Sequence, residues 1–309
     1  MLAIIAPGQG AQTPGFLAPW LEDETLRDFL GSWSERIELD LSHLGRTADA
    51  EEIRNTANAQ PLIVAAGLLG MKALGVNLTF SLTAGHSVGE ITSAAIANVL
   101  SDENAMALVR ERGLAMAVAA AQSATGMSAL LGGERSEVLA AIAERGLFAA
   151  NDNGAGQIVA AGDLIALAQL GENPPAGARV RALAVAGAFH THYMQPALNH
   201  LTDFARSLEA QDPVVTLVSN RDGEVVSTGG EVLARIVNQI ANPVRWDLCM
   251  KKMGELGVSA VIEVPPAGTL VGLIKRALPG VETVALKSPA DLDAARDLMR
   301  RHSVKIGAI

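Results

Sequence analysis

The stretch Thr83-Ala84-Gly85-His86-Ser87-Val88-Gly89-Glu90 decides how the rest of the chain is interpreted. Residues 78–82, just before it, have the composition of a buried strand, and residues 90–100 carry apolar residues at helical spacing. Ser87 is therefore predicted to lie at a tight corner between a strand and a helix. The two elements approach so closely at such a corner that residues beside the serine must lack a Cβ, which explains the flanking glycines. The hydroxyl is then exposed at a helix N-terminus, where backbone N–H groups favour an alkoxide or an oxyanion.

The Gly-x-Ser-x-Gly pattern is weak by itself, because a chain with 30 glycines can contain it by chance. The predicted strand before it and helix after it make it informative. An inert serine in a glycine-rich turn is the alternative interpretation.

The composition is that of a large globular protein. The chain has 309 residues, of which 49% are hydrophobic and 3% aromatic, and its net charge is −9. This length fits one large domain or a large domain carrying a smaller one. Few aromatic residues and many small ones allow helices to pack closely on a parallel sheet. A nucleic-acid partner is not expected, since phosphate binding needs clustered Lys and Arg.

Cysteine use and hydropathy bear on location. Cys249 is the only cysteine, so no intrachain disulfide can form and we expect a cytoplasmic setting. It lies in a predicted helix, where a free cysteine usually packs in the core. Residues 1–5 are apolar but lack a basic leader and meet Pro7 at once, which predicts a first strand rather than a signal peptide. Polar residues interrupt the uncharged run 113–133, so we expect no membrane span.

The order of predicted elements changes at Ser123. Strand patterns occupy residues 126–131, 147–151, 157–161 and 178–186, and helical patterns occupy residues 134–145 and 163–170. This β-α-β-β-α-β order is that of a ferredoxin-like unit. We therefore expect an α/β protein in which residues 1–123 and 189–309 form a large domain with a parallel sheet and residues 124–188 form an inserted ferredoxin-like domain.

A serine nucleophile needs a base, and six histidines compete for the role. His190 and His192 are the best candidates, because both end an apolar segment that returns from the inserted domain. Catalytic groups of α/β enzymes collect there, outside the carboxyl ends of the strands. A structural role in the core explains either histidine about as well.

No acidic residue stands out to complete a triad. Asp102, Asp152 and Asp163 lie between Ser87 and His190, but each is better explained as a helix cap or turn residue. A dyad, with the imidazole oriented by a backbone carbonyl, is the alternative.

Arg112 lies among apolar residues of a predicted helix. A buried guanidinium is unfavourable unless it is paired, and a bound carboxylate would pair it bidentately. The alternatives are an internal salt bridge, or a surface arginine with only its aliphatic stem buried.

Several motifs recur together and in order, over essentially the full length of the chain. They are Pro7-Gly8-Gln9-Gly10-Ala11-Gln12, Gly85-His86-Ser87-Val88-Gly89-Glu90, Arg112-Gly113, Ala149 to Gly162 with Gln157, Phe189-His190-Thr191 with Met194, and Asn242-Pro243-Val244-x-Trp246. In these motifs the chain resembles the malonyl-CoA:acyl-carrier-protein transacylase family. The resemblance implies an α/β-hydrolase-like large domain with a ferredoxin-like insert, the same division that the element patterns predict.

The resemblance also implies roles for particular residues. They are Ser87 as the acylated nucleophile, His190 as the base, the backbone N–H groups of Gln9 and Val88 as the oxyanion hole, Arg112 as the partner of the malonyl carboxylate, and Gln239 as the residue whose carbonyl orients the base. It favours His190 over His192 because the family motif has a methionine four residues after its histidine, as Met194 is here. We expect no cofactor and no metal.

Two features depart from the family pattern. His192 is an additional imidazole beside the implied base, and Pro265-Pro266-Ala267-Gly268 replaces the more usual Gly-Pro-Gly turn. Neither is expected to take part in the chemistry directly.

The implied activity is ping-pong transfer of a malonyl group from malonyl-CoA to the phosphopantetheine thiol of acyl carrier protein through a malonyl-serine ester. Three alternatives stay open: a polyketide-type acyltransferase using malonyl- or methylmalonyl-CoA, a serine hydrolase or thioesterase, and a non-catalytic module that binds carrier proteins. Val88 and Phe189 resemble the malonyl-type patterns. We expect a monomer that meets an acidic carrier through basic residues, for which Lys251, Lys252, Lys275 and Arg276 are candidates.

Overall fold

A computed structural model of the chain describes residues 1–75 and 79–302. The strands in chain order are β1 (Leu2–Ala6), β2 (Leu82–Gly85), β3 (Thr125–Gly132), β4 (Phe148–Asp152), β5 (Gln157–Asp163), β6 (Ala178–Ala182), β7 (Thr216–Val218), β8 (Val225–Val226), β9 (Val244–Arg245), β10 (Ala260–Glu263) and β11 (Glu282–Ala285). The α-helices are α1 (Glu24–Ile37), α2 (Leu41–Arg46), α3 (Thr56–Leu74), α4 (Gly89–Ile96), α5 (Asp102–Ala120), α6 (Arg135–Glu144), α7 (Leu164–Glu172), α8 (Gln195–Ala205), α9 (Gly229–Asn238), α10 (Trp246–Glu255), α11 (Thr269–Ala277) and α12 (Leu292–His302). Single 3-10 turns span Trp20–Glu22, Glu52–Arg54, His192–Met194, Gln239–Ala241 and Pro289–Asp291.

The larger sheet has the strand order β11-β10-β1-β2-β7-β8. Its neighbours are parallel except β7 and β8, which are antiparallel. The inner strand β1 consists of five apolar residues, all buried. Leu2 and Ile4 pack into one core cluster and Ala3 and Ile5 into another, because successive side chains point to opposite faces of a sheet. Such a strand, buried on both faces, is typical of a parallel sheet, and the expected parallel sheet is confirmed.

The second sheet has the order β6-β3-β5-β4-β9. β3 pairs antiparallel with β5 and β6, and β4 pairs antiparallel with β5. With α6 and α7 in the connections, the predicted β-α-β-β-α-β unit is confirmed. The edge strand β9 comes from the later part of the chain and runs parallel to β4. The predicted helix from Pro243 therefore begins three residues late, at Trp246, because Val244 and Arg245 are extended in order to pair with β4.

Helix α3 begins earlier than predicted. The sequence indicated a start at Gln60-Pro61, but the helix begins at Thr56, where the Asn55 side chain accepts a hydrogen bond from the Ala57 N–H. Pro61 therefore lies inside the helix and has no N–H for the Ala57 carbonyl one turn back. Arg110 of α5 supplies the missing donor, at 3.1 Å from that carbonyl oxygen. A contact from another helix thus makes an internal proline tolerable.

The strand before Ser87 is shifted toward the corner. The predicted strand 78–82 begins at Leu78, which lies outside the described residues, and β2 instead covers Leu82–Gly85. Pairing with β1 explains the shift, because Ala3 to Ala6 are in register with Leu82 to Gly85.

Helix α5 has a different cap from the one predicted. Ser101, rather than Asp102, accepts the hydrogen bond from the Asn104 N–H. Asp102 is the first helical residue and pairs with Lys72 at 2.7 Å. Among the described helices, none is long and apolar enough to span a membrane.

Candidate active site

The corner between β2 and α4 holds Ser87 in a left-handed backbone conformation, with φ of 54°. A Cβ added to Gly85 would lie 2.0 Å from the Gly89 carbonyl carbon, and one added to Gly89 would lie 2.3 Å from the Ala6 oxygen. Both glycines are therefore required by close backbone packing. The strained serine conformation is of the kind that surrounding structure must enforce, at about 1–3 kcal/mol.

Ser87 and His190 are in direct contact. Ser87 Oγ lies 2.7 Å from His190 Nε2, and His190 Nδ1 lies 2.9 Å from the backbone oxygen of Gln239. The carbonyl can only accept, so it selects the tautomer with the proton on Nδ1. Nε2 is then the acceptor that faces the serine hydroxyl. This arrangement can act as a nucleophile and a base that a backbone carbonyl orients.

The environment keeps His190 neutral. Burial and, to a smaller extent, the positive charge of Arg112 together lower the pKa of His190 to about 3, while the Gln239 carbonyl opposes the change. A neutral imidazole is the form that can take a proton from the serine.

The other predicted candidates face elsewhere. His192 is exposed and its ring packs on Phe148, with 4.9 Å between ring centroids. The three aspartates considered for a triad are an ion-pair partner of Lys72 (Asp102), an ion-pair partner of Arg135 (Asp152) and the N-cap of α7 (Asp163). No carboxylate of the described chain is hydrogen-bonded to His190, so the arrangement is a dyad.

The loop after β1 packs against the corner. A Cβ at Gly8 would lie 2.8 Å from His86 Nδ1, and the Gln9 side chain is anchored by accepting a hydrogen bond from Thr56 Oγ1 at 2.9 Å. Gln9 and Val88 both line the cavity at Ser87. Neither of their backbone N–H groups donates to another described residue, so both can receive an oxyanion.

Arg112 lies in the interior with only 2% of its surface exposed. Nη1 donates to Gln60 Oε1, Nη2 donates to Gln239 Oε1 at 2.9 Å, and the buried Nε has no partner among the described residues. Arg112 is therefore neither a surface arginine nor half of a direct ion pair with a described carboxylate. Burial lowers its pKa to about 10, and the charge of Glu90 opposes that change.

Asn220 and Glu90 belong to the site and were not singled out from the sequence. Asn220 Oδ1 accepts from the Ser87 N–H at 2.8 Å and Asn220 Nδ2 donates to the Gly85 oxygen at 2.7 Å, which clamps the corner from β7. Glu90 Oε1 accepts from the Asn220 N–H at 2.6 Å, and Oε2 accepts from Gln239 Nε2 at 2.5 Å. Burial raises the pKa of Glu90 to about 7. The sequence does contain a signal for Glu90, because it is a carboxylate directly after the corner, at the start of a helix with an apolar pattern.

A cavity of about 310 Å³ lies between the two sheets. The larger sheet and its loops contribute Gln9, Ser87, Val88 and His190, α5 contributes Arg112 and Met116, the second sheet and its turn contribute Asn151, Asn153 and Val159, and α11 contributes Thr269 and Leu270. His86, beside the serine, crosses to the second sheet through a 2.8 Å contact between Nε2 and Asn153 Oδ1. Within the described residues no group of three or more His, Cys, Asp or Glu side chains could hold a metal ion.

The chain matches known proteins over most of its length. The acyl transferase domain family matches residues 4–294. A malonyl CoA-acyl carrier protein transacylase of Mycobacterium tuberculosis is 51% identical over 302 residues, which cover 96% of this chain and all of the relative. The chain belongs to the malonyl CoA-acyl carrier protein transacylase family. The family resemblance seen in the sequence motifs is thus confirmed.

Solved structures of transacylases share the fold. The crystal structure of MCAT from Mycobacterium tuberculosis has a TM-score of 0.92 at 51% identity, covering 96% of this chain and 99% of that one. A type II PKS acyl-carrier protein in complex with its malonyl-transacylase has a TM-score of 0.90 at 29% identity, covering 96% and 99%. Both likenesses extend over both sheets.

Five of the residues singled out from the sequence line one cavity: Gln9, Ser87, Val88, Arg112 and His190. Gln239 lies behind the cavity, where its backbone contacts the imidazole and its side chain contacts the guanidinium.

Proposed function

We propose that this protein transfers a malonyl group from malonyl-CoA to the phosphopantetheine thiol of an acyl carrier protein, through an ester on Ser87. The observation that carries the proposal is a serine-histidine pair that shares one cavity with Arg112, a buried guanidinium whose Nε is unpaired. A site that only cleaved neutral esters would have no use for this charge. Family membership supports the same activity, since the sequence motifs and the relatives' names agree on it.

In the first half-reaction Ser87 Oγ attacks the thioester carbonyl carbon and its proton passes to His190 Nε2. The tetrahedral oxyanion is held by the backbone N–H groups of Gln9 and Val88. Collapse breaks the carbon–sulfur bond, and the proton on His190 passes to the sulfur, so that CoA leaves as a thiol. The Gln239 carbonyl stabilises the imidazolium while it exists.

In the second half-reaction the pantetheine thiol of the carrier gives its proton to His190 and attacks the ester carbonyl. The same oxyanion donors act again, the carbon–oxygen bond to Ser87 breaks, and His190 returns the proton to the serine. No water enters either step, and the enzyme is regenerated.

Arg112 gives the site its acyl-group selectivity. A malonyl carboxylate would pair with the guanidinium bidentately, whereas an acetyl group would leave the charge buried and unpaired. We assign Arg112 this role because its present partners are neutral amide oxygens, which leave its charge uncompensated by direct contact.

We propose that the carrier approaches from the side of α11. Thr269 and Leu270 at the start of this helix line the cavity, while Lys275 and Arg276 near its end are exposed. Lys251 and Lys252 are less suitable, because they pair with acidic neighbours, Lys252 with Glu224 at 2.8 Å and Lys251 with Glu255 at 3.7 Å. Exposed cations on the helix that lines the cavity would steer an acidic carrier.

Residues 124–188 then form an inserted unit that closes the cavity over the part formed by residues 1–123 and 189–309. The protein acts as a cytoplasmic monomer, without a nucleic-acid partner, a cofactor or a metal. The net charge of −9 supports the exclusion of nucleic acid.

Intact-mass measurement after mixing with malonyl-CoA tests the proposal. We expect the mass of one malonyl group on the wild-type protein, its removal when carrier thiol is added, and no adduct on Ser87→Ala. Rapid loss of the adduct in water without a thiol would instead indicate a hydrolase. Equal adduct on Ser87→Ala would refute the assignment of the nucleophile, and tight binding without any adduct would indicate a non-catalytic binding module. Competition between malonyl-CoA and methylmalonyl-CoA measures the acyl preference.

A further inference from the structure

One buried residue, Gln239, joins the base to the guanidinium. Its backbone oxygen accepts from His190 Nδ1 at 2.9 Å, and its side-chain Oε1 accepts from Arg112 Nη2 at 2.9 Å. The group that determines which way the Gln239 amide points therefore determines whether Arg112 meets an acceptor or a donor.

The contacts around Asn220 allow only one orientation of that amide. Asn220 Oδ1 accepts from the Ser87 N–H at 2.8 Å, so it can only be an acceptor toward Gln239 Nε2, 3.1 Å away. Glu90 Oε2 lies 2.5 Å from the same nitrogen, and an ionised carboxylate is also an acceptor. The Gln239 NH₂ group thus satisfies two acceptors, and its oxygen is left for Arg112. In the opposite orientation, NH₂ would face a guanidinium that has only donors.

We propose that Glu90 is a positioning residue for acyl-group selectivity: by holding the Gln239 amide, it fixes Arg112 for a substrate carboxylate. Glu90 has 4% of its surface exposed and does not line the cavity, so it acts on substrate only through Gln239 and Arg112. This role goes beyond the proposed malonyl transfer but rests on it, since the fixed guanidinium matters for substrates that carry a carboxylate.

The contacts of Glu90 suit its ionised form, which predominates above the pKa of about 7 that burial gives it. Its other oxygen accepts from the Asn220 N–H at 2.6 Å, and the charges of Arg112 and Arg235 oppose the effect of burial on its pKa. Glu90 also supplies a negative charge that opposes the fall in the pKa of Arg112, whose direct partners are neutral amide oxygens. The carboxylate therefore lowers the electrostatic penalty of burying Arg112 without occupying the position that a substrate carboxylate needs.

Glu90→Gln tests the proposal. The glutamine has one oxygen and one NH₂ group for the two donors that the carboxylate serves, Asn220 N–H and Gln239 Nε2. One contact must become donor against donor. Where this is the contact with Gln239 Nε2, only Asn220 Oδ1 still holds the Gln239 amide, so Arg112 loses its fixed position. We expect kcat/KM for malonyl-CoA to fall roughly 10- to 100-fold, the effect of leaving a buried charged donor unsatisfied. Any loss that passes through Asn220 to Ser87 affects both substrates, whereas acetyl-CoA makes no use of Arg112, so the malonyl-to-acetyl ratio of kcat/KM should fall roughly 10-fold or more.

Glu263→Gln is the matched control. Glu263 is also fully buried, but its carboxylate accepts from backbone N–H groups of Gly268, Leu270 and Val271 at 3.0, 3.0 and 2.9 Å. This variant should lower the thermal unfolding midpoint and leave the malonyl-to-acetyl ratio of kcat/KM unchanged. A general loss of packing would lower both activities together, whereas loss of positioning changes their ratio.

Gln239→Met keeps the inference open to refutation if Glu90→Gln does not fold, because the proposed effect of Glu90 passes through the Gln239 amide. Methionine removes the amide and keeps the backbone carbonyl that orients His190, so the malonyl-to-acetyl ratio should fall as it does in Glu90→Gln. A wild-type ratio in the folded variants would overturn the inference. Wild-type protein that transfers no malonyl would instead refute the proposed function, so the two failures are distinguishable.

Discussion

Arg112 carries its charge into the interior with neutral direct partners. The amide oxygens of Gln60 and Gln239 orient the guanidinium, and its Nε has no partner in the described parts of the chain. A direct salt bridge would compete with a substrate carboxylate, whereas amide oxygens do not neutralise the charge. The contacts of Arg112 therefore suit the selective binding of an acidic acyl group better than they suit stabilisation of the fold.

Arg112→Ala should lower kcat/KM for malonyl-CoA by roughly 100-fold or more, because the substrate carboxylate would then be buried without its partner. Transfer from acetyl-CoA should persist or increase, since that substrate no longer faces an unpaired charge. Steady-state kinetics with both CoA esters measure the two effects. Arg110→Ala is the control, because Arg110 lies on the same helix but donates to the Ala57 carbonyl rather than lining the cavity. Unchanged malonyl kinetics in Arg112→Ala would refute the role.

The low pKa of His190 predicts an unusual pH dependence of Ser87 acylation. Below its pKa the imidazole is protonated and inactive as a base, and burial lowers the pKa to about 3. The rate of acylation by a neutral ester such as p-nitrophenyl acetate should therefore change less than about 2-fold between about pH 5 and pH 8, whereas an ordinary histidine would give a loss of roughly 30-fold at pH 5.

Glu90 also titrates in this range, since burial raises its pKa to about 7. The same measurement on Glu90→Gln removes that group. A fall in rate centred near pH 6.5 that persists in this variant would contradict the low pKa of His190.

The sequence predicted the reactive pair at the residue scale but missed what supports it. Ser87 was recognisable because its glycines, strand and helix are adjacent in the chain. Glu90 and Asn220 are 130 positions apart, and their contact exists only because β7 pairs with β2. Neither residue belongs to a local pattern that distinguishes a hydrogen-bonded buried group from a solvated one.

At the scale of elements, the corner between β2 and α4 depends on backbone contact between the two. The Ala6 oxygen at the end of β1 lies where a Gly89 side chain would begin. The N-terminus of α4 can therefore pack against the end of β1 only while residue 89 has no Cβ. The proline in α3 shows the converse, because a residue that should break a helix is accommodated by Arg110 of α5.

Gly89→Ala should destabilise the fold by about 3 kcal/mol or more and lower the thermal unfolding midpoint, because its Cβ would meet backbone 2.3 Å away. Gly31→Ala is the control, since Gly31 lies in α1 and a Cβ there would meet no atom within 4 Å. That substitution should stabilise the protein by roughly 0.5–1 kcal/mol through helix propensity. Chemical denaturation of both variants gives the two values, and equal stabilities would contradict the requirement for glycine.

At the scale of the whole molecule, the sequence predicted two sheets from periodicity but not how they meet. β9 comes from the later part of the chain and pairs with β4. A strand of only two residues is too short to be recognised from the sequence. The cavity lies between the sheets and combines residues from widely separated segments. The cavity forms only when the two sheets pack together, and no local sequence pattern describes that packing.

The contact between His86 and Asn153 predicts how the two sheets protect the acyl-enzyme. His86 is adjacent to Ser87, and its Nε2 meets Asn153 Oδ1 in the turn after β4 at 2.8 Å. Asn153→Ala leaves a partly buried ring nitrogen without a partner, so stability should fall by about 1 kcal/mol. It also opens a space beside the serine ester that water can enter, and hydrolysis of malonyl-Ser87 should accelerate several-fold relative to transfer to a thiol. Intact-mass time courses without acceptor give the half-life of the ester, with the exposed Asn173 of the same inserted segment changed to alanine as the control. An unchanged half-life in Asn153→Ala would mean that this contact stabilises the fold without excluding water from the site.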